Sequence, residues 1–301
     1  MLRAATMNPL EAFLLGVIEG VTEYLPVSST GHLIVAQRFM GIGLEGEDKQ
    51  AADCFAICIQ AGAILAVLGL YWPRVMQMLR GLVGKDAEGL KLVGAMVAGF
   101  LPAAVIGIAA NDWIEARLFG LKPVVGAWLV GGVGILFVDR WMKRGGGTRG
   151  RELAEITWKM ALVIGFAQCV AMWPGTSRSL MTIIGGVLVG LRLAAAVEFS
   201  FLLGVVTLTA ATAKKAVWPI EGLAERYDST FGGALLMWDH YGLLPLLIGV
   251  VAATVSAALA VKWMVAYLNR RGLGVFGWYR IAVGIGVGIL IFSDFHGFGS
   301  A

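Results

Sequence analysis

The sequence predicts an all-α polytopic membrane protein: six full transmembrane helices plus two re-entrant helical hairpins, arranged as an inverted-topology repeat. Three observations predict it. Of 301 residues, 58% are hydrophobic and only 15% are charged, where a soluble domain carries about 25%, and mean hydropathy is +0.79. Six apolar stretches are each long enough to span a bilayer, which takes about 20 helical residues. Two more are apolar but interrupted, and the sequence around one interruption echoes that around the other.

Taken in order, the first interrupted stretch runs from Pro9 to about Met40 and breaks at Pro26-Val-Ser-Ser-Thr-Gly31. It carries Glu19 and Glu23 and no signal-peptidase pattern, so it reads as a retained segment. Full spans follow near Ala52–Trp72, Leu92–Asn111 and Leu121–Val138. The second interrupted stretch runs from about Trp158 to Val189 and breaks at Pro174-Gly-Thr-Ser-Arg-Ser179. Spans near Ala194–Ala213, Gly242–Lys262 and Phe276–Ser293 complete the chain. Each interrupted stretch is short for two spans and suits a hairpin that turns back at mid-depth. Irregular backbone there is tolerated only against protein or a wet cavity.

Gly16-Val-Ile-Glu-Gly-Val-Thr-Glu-Tyr aligns with Gly165-Phe-Ala-Gln-Cys-Val-Ala-Met-Trp, and Pro26 with Pro174 after one gap. Leu101-Pro-Ala-Ala-Val-Ile-Gly107 echoes Leu244-Pro-Leu-Leu-Ile-Gly249, and Gly132-Val-Gly-Ile-Leu136 echoes Gly286-Val-Gly-Ile-Leu290. The whole chain, 1–301, therefore reads as one integral membrane domain of two repeats, near 8–140 and 157–295. Three spans per half is odd, so the halves face opposite ways, and inverted repeats place their site at the shared interface.

Charge placement gives orientation. Arg74, Arg80, Lys85 and Lys91, then Arg140, Lys143, Arg144, Arg149, Arg151 and Lys159, then Arg270 and Arg271 mark cytoplasmic loops. The opposite loops are acidic or mixed, including Glu45, Glu47 and Asp48, and Glu221, Glu225 and Asp228. Asp139-Arg140 reads as a topology signal only. No long basic tract or nucleic-acid motif appears, which excludes nucleic acid as a partner. Cys54, Cys58 and Cys169 complete no metal set and read as small apolar fillers.

Ionisable groups in apolar sequence are costly and usually functional or tightly paired. Glu19 and Glu23 share one helix face. Their repulsion needs a cation, a proton or a positive substrate group between them, so both are candidate ligands for a divalent cation or candidate proton carriers. Ser28, Ser29 and Thr30 sit at the first break, and His32 lies within a helical turn of the serines, an arrangement that can activate a nucleophile. At the second break, Gly175 allows close backbone approach. Thr176, Ser177 and Ser179 offer hydroxyls, Arg178 a guanidinium fork, and Thr182 lies one turn on to orient it. Hydroxyls, a helix N-terminus and an Arg fork together make a phosphate site. Arg178 could instead be paired with Glu19 or Glu23 for structure alone, but the hydroxyls exceed what one ion pair needs.

These residues resemble the undecaprenyl-diphosphatase family, the bacitracin-resistance type of undecaprenyl pyrophosphate phosphatase. The resemblance rests on Glu19-Gly-Val-Thr-Glu23 followed by Pro26-Val-Ser-Ser-Thr-Gly-His32, on Pro174 to Ser179, and on Ala194-Ala-Ala-Val-Glu-Phe-Ser-Phe-Leu-Leu203. It implies hydrolysis of undecaprenyl diphosphate to undecaprenyl phosphate and inorganic phosphate. That recycles the lipid carrier of cell-wall synthesis and lowers the target of bacitracin, which competes for the substrate. It implies a multi-pass protein of the bacterial inner membrane, a site facing the periplasm, dependence on a divalent cation (Mg or Ca), and a homodimer as a further expectation. Carried over by position, Glu19, Glu23, Ser29, His32 and Arg178 are the reactive residues. Ser29 or Ser28 would attack phosphorus with His32 or Glu23 as base, or water would attack directly. The rival reading is a transporter or flippase of a polyprenyl phosphate lipid, since broken helices are also carrier architecture.

Overall fold

A computed structural model describes residues 7–146, 150–217 and 232–293. Arg149, Glu221, Glu225 and Asp228, read above as loop charges, lie outside the described residues. The fold is helical, with no strand among the described residues and a single isolated bridge, Arg151 to Leu191. Helix α1 (Pro9–Tyr24) starts where the sequence supplies both halves of a capping box: Asn8 Oδ1 accepts from the Glu11 N–H and Glu11 Oε2 from the Asn8 N–H. After the first break come α2 (Ser29–Met40), ended by Gly41 in the left-handed region, and α3 (Gly46–Leu70). The next span, α5 (Ala87–Ala109), is reached through α4 (Trp72–Leu82), and α7 (Leu121–Trp141) through α6 (Asn111–Leu118). Beyond a 3-10 turn at Leu153–Glu155 lie α8 (Trp158–Val170) and, after the second break, α9 (Arg178–Leu188). The chain continues as α10 (Leu193–Val217), α11 (Gly232–Tyr241), α12 (Leu243–Arg271) and α13 (Gly274–Phe292).

Six of these helices, α3, α5, α7, α10, α12 and α13, are long and apolar enough to cross a membrane, as the apolar stretches predict. The first ends before Trp72, where Pro73 near the start of α4 favours a new helix over continuation. Helix α1 packs on α12, and α8 packs on α5. Both contacts depend on missing side chains: a Cβ at Gly16 or Gly20 would strike the α12 backbone, and one at Gly165 the carbonyl of Gly99. Helices α7 and α13 pack together, as do α3 and α10. Asp139 is more than a topology signal. It is buried at the end of α7, where Oδ1 accepts from the Leu273 N–H at 2.9 Å and Oδ2 from Lys143 at 2.7 Å, fixing the turn into α13.

Candidate active site

The two interruptions become two helix breaks, Leu25–Ser28 and Ala171–Ser177. Pro26 and Pro174 each lack the N–H a continuing helix needs, and Gly175 takes φ +94° against Val124 and Ala127, where no side chain would fit. Each break closes the same way. Ser28 and Ser177 are the described non-glycine residues with positive φ, at 74° and 76°, a rare and strained state for a residue bearing a Cβ. Each caps the helix that follows: Ser28 Oγ accepts from the Gly31 N–H at 3.5 Å and Ser177 Oγ from the Leu180 N–H at 3.3 Å. The first helical residue after each cap is Ser29 in one break and Arg178 in the other.

Those two residues meet on Glu23. Ser29 Oγ donates to Glu23 Oε2 at 2.5 Å, and Arg178 Nη2 donates to Glu23 Oε1 at 3.0 Å. The ion pair is largely buried on both sides. Arg178 Nη1 also donates to the Ser200 carbonyl at 3.1 Å, its guanidinium lies 5.4 Å from the centre of the Tyr24 ring, and Gly204 leaves it room. Glu19 is 1% exposed, one turn before Glu23, with Gln60 beside it, and its Oε1 has no hydrogen-bond partner. Arg178 Nε and the Tyr24 hydroxyl are likewise buried without partners.

The remaining sequence-predicted residues divide. Ser179 Oγ donates to the Leu25 carbonyl at 3.0 Å, tying the second break to the first, and lies 3.0 Å from Ser177 Oγ. Thr182 Oγ1 sits 2.9 Å from the Arg178 carbonyl and 2.6 Å from Ser200 Oγ, holding the start of α9. Thr30 is exposed. His32 contacts neither serine hydroxyl. Its Nδ1–H donates to the Ser28 carbonyl at 2.6 Å, and in the neutral ring Nε2 accepts from the Tyr279 hydroxyl at 2.8 Å. The group in contact with Ser29 is therefore Glu23. Glu198 pairs with Arg74 at 2.6 Å, away from the breaks.

Sequence reasoning missed Arg280. It lies in the last apolar span, is fully buried, and donates to four carbonyls: Nη1 to Pro26 at 3.4 Å and Thr176 at 3.1 Å, Nη2 to Ala127 at 2.8 Å and Gly175 at 2.7 Å. Gly175 and Thr176 thus present their carbonyls to a guanidinium. Trp128 was missed as well, and its Nε1–H donates to the Val27 carbonyl at 3.0 Å. A charged residue inside a span was the available signal for Arg280.

No group of three or more His, Cys, Asp or Glu side chains converges among the described residues. The donors still fit a hard cation of the kind held by one or two carboxylates plus substrate phosphate, because Glu19 Oε1 is buried and unbonded beside Glu23.

The chain matches the family described as bacitracin resistance protein BacA over residues 12–286. It belongs to the BacA family. Among relatives, it is 45% identical to undecaprenyl-diphosphatase 2 of Rhodospirillum rubrum over 276 residues, 92% of each chain. It is 42% identical to the undecaprenyl-diphosphatase of Sorangium cellulosum, over 91% of this chain and 83% of that one. It is 40% identical to the undecaprenyl-diphosphatase of Flavobacterium johnsoniae, over 93% and 94%. The BacA match takes in both breaks and every site residue from Glu19 to Arg280.

Proposed function

We propose that this BacA-family protein hydrolyses undecaprenyl diphosphate to undecaprenyl phosphate and inorganic phosphate, recycling the lipid carrier of cell-wall synthesis and conferring resistance to bacitracin. One observation carries the reaction chemistry: Glu23 touches the Ser29 hydroxyl with one oxygen and the Arg178 guanidinium with the other. This joins a nucleophile, a base and an anion clamp across two segments 155 residues apart.

Arg178 receives the terminal phosphate, with Nε free for a further acceptor. Ser29 and Arg178 both sit at helix N-termini, where exposed N–H groups favour an anion. As Ser29 Oγ attacks phosphorus, its proton passes to Glu23 Oε2. The Oγ–P bond forms, the bond from that phosphorus to the bridging oxygen breaks, and undecaprenyl phosphate leaves with the proton that Glu23 returns to its departing oxygen. Glu23, ionised again, takes a proton from water as that water attacks the phosphoserine; the Oγ–P bond breaks, inorganic phosphate leaves, and Glu23 gives the proton back to Ser29 Oγ. Such transfers depend mainly on positioning and charge stabilisation. A divalent cation held by Glu19 and Glu23 would neutralise phosphate charge. His32, bonded to the Ser28 carbonyl, holds the first break.

The prenyl tail is assigned to an apolar groove of about 530 Å³ between α1, α12 and α13, lined by Val21, Leu25, Val27, Leu259, Phe276 and Tyr279 among others. Its rim faces outward, with Leu259 65% and Trp263 52% exposed, so a lipid enters sideways. Tyr279 links groove to site through His32. The inverted repeat and the re-entrant hairpins are supported by the paired contacts, α1 on α12 and α8 on α5, and by the matched capped breaks. The basic loops support an inner-membrane orientation with the site open to the periplasm.

The test is phosphate release from a prenyl diphosphate by detergent-purified protein, with and without chelator. Ser29→Ala, Glu23→Gln and Arg178→Ala should each abolish most of it. Turnover near the parent level in all three, or lipid transport without hydrolysis, overturns the proposal.

A further inference from the structure

Arg280 has no role in the chemistry above, yet it is the most heavily committed buried cation among the described residues. A charge deep in a span is costly even on the mildest scale, and Arg280 meets that cost without a carboxylate partner. Its four acceptors are backbone carbonyls from three segments: Pro26 in the first break, Gly175 and Thr176 in the second, and Ala127 in α7. The helix breaks orphan the Pro26, Gly175 and Thr176 carbonyls, whereas Ala127 lies inside α7. Each terminal nitrogen takes one carbonyl from the second break and one from a different segment, Pro26 for Nη1 and Ala127 for Nη2. Only a planar fork meets four such acceptors at once, and a lysine ammonium on a single point does not. Gly131 in α7 leaves the slot open, since a Cβ there would collide with the guanidinium.

We infer that Arg280 is a positioning residue whose guanidinium pins the two helix breaks to each other and to α7, and so sets the placement of Ser29 relative to Arg178. Ser29 begins α2 three residues after Pro26, and Arg178 begins α9 two residues after Thr176. Loosening the fork moves both reacting groups without removing either. The activity readout rests on the phosphatase reading; the second readout below does not.

The experiment compares parent, Arg280→Lys and Gly131→Ala as full chains in detergent, measuring kcat and KM for phosphate release and amide hydrogen exchange over residues 25–31 and 173–179. Gly131→Ala displaces the fork while keeping its charge. Both variants should lose about tenfold or more in kcat, as small misplacements of reacting groups do, with KM changed by less than about threefold and exchange raised at both breaks together. The double variant should be little worse than Arg280→Lys, because both act on one contact. Gly284→Ala disturbs the same α7–α13 packing, chiefly against the Leu129 side chain with the Trp128 Cβ at an ordinary 3.4 Å and no contact with the guanidinium among its nearest atoms, and should keep kcat within about twofold. The inference fails if Arg280→Lys and Gly131→Ala both keep kcat within about twofold, if exchange at the breaks stays at the parent level, or if Gly284→Ala is equally damaging. Should Arg280→Lys not fold, Gly131→Ala decides by the same readouts. A parent that releases no phosphate refutes the phosphatase reading instead, and the exchange measurement alone then decides the role of Arg280.

Discussion

At the scale of single residues, Glu23 governs the site because it is shared. Removing it strips Ser29 of its base and leaves Arg178 a buried cation without its carboxylate, and breaking one side of a buried pair costs about 3–5 kcal/mol. Ser29→Ala and Glu23→Gln should each lower kcat about a thousandfold. Their double variant should be no worse than the more damaging single, since groups acting as a unit are not additive. Phosphate-release kinetics check this, and additive losses would separate the two residues. Arg178→Lys should lose most activity despite keeping its charge, because a lysine cannot hold Glu23, the Ser200 carbonyl and a phosphate at once. Glu23, Ser29 and Arg178 are legible in the sequence because each lies in a short polar motif set in apolar surroundings. Arg280 is not legible in that way: its partners lie 254, 153, 105 and 104 residues away. Nor is the partner of His32. Local spacing points to a serine hydroxyl, while Nε2 reaches Tyr279, 247 residues distant.

At the scale of elements, the breaks reverse an ordinary rule. Alanine normally suits helical sequence better than glycine, but Ser177 sits at φ 76°. Ser177→Ala loses the cap and keeps the strain, whereas Ser177→Gly loses the cap and relieves it. The alanine variant should therefore unfold at the lower temperature, by a difference worth about 1 kcal/mol. Thermal unfolding in detergent reads the order directly: equal temperatures would show that the cap alone matters, and the opposite order that the greater freedom of glycine in the unfolded chain outweighs the strain. Close packing makes a second contrast. Gly20→Leu drives a side chain into the α12 backbone and Ser256 and should cost about 1–3 kcal/mol or more. Gly69→Ala meets open space and should be neutral or slightly stabilising. The breaks are legible because proline and glycine punctuate sequence. The short helices α4, α6 and α11, of 11, 8 and 10 residues, are not, because they lie between apolar runs that dominate any hydropathy reading.

At the scale of the whole molecule, the six spans follow from apolar length alone, since no other arrangement hides so much apolar surface in a bilayer. What no hydropathy pattern announces is the groove, because its walls come from residues scattered between Val21 and Tyr279. If the tail lies there, Ala260→Trp, on the α12 wall of the groove, should raise KM for a long-chain prenyl diphosphate about tenfold, while a short-chain diphosphate keeps its KM. Equal effects on both chain lengths would remove the groove from the binding path.

The outward rim of that groove also decides how reaction rate must be counted. A catalyst that takes its substrate from the side meets it in two dimensions, so the governing quantity is mole fraction in the surrounding film, not molarity in the tube. Diluting the substrate with inert detergent at constant bulk concentration should slow turnover, while diluting protein, lipid and detergent together with buffer should leave turnover per enzyme unchanged.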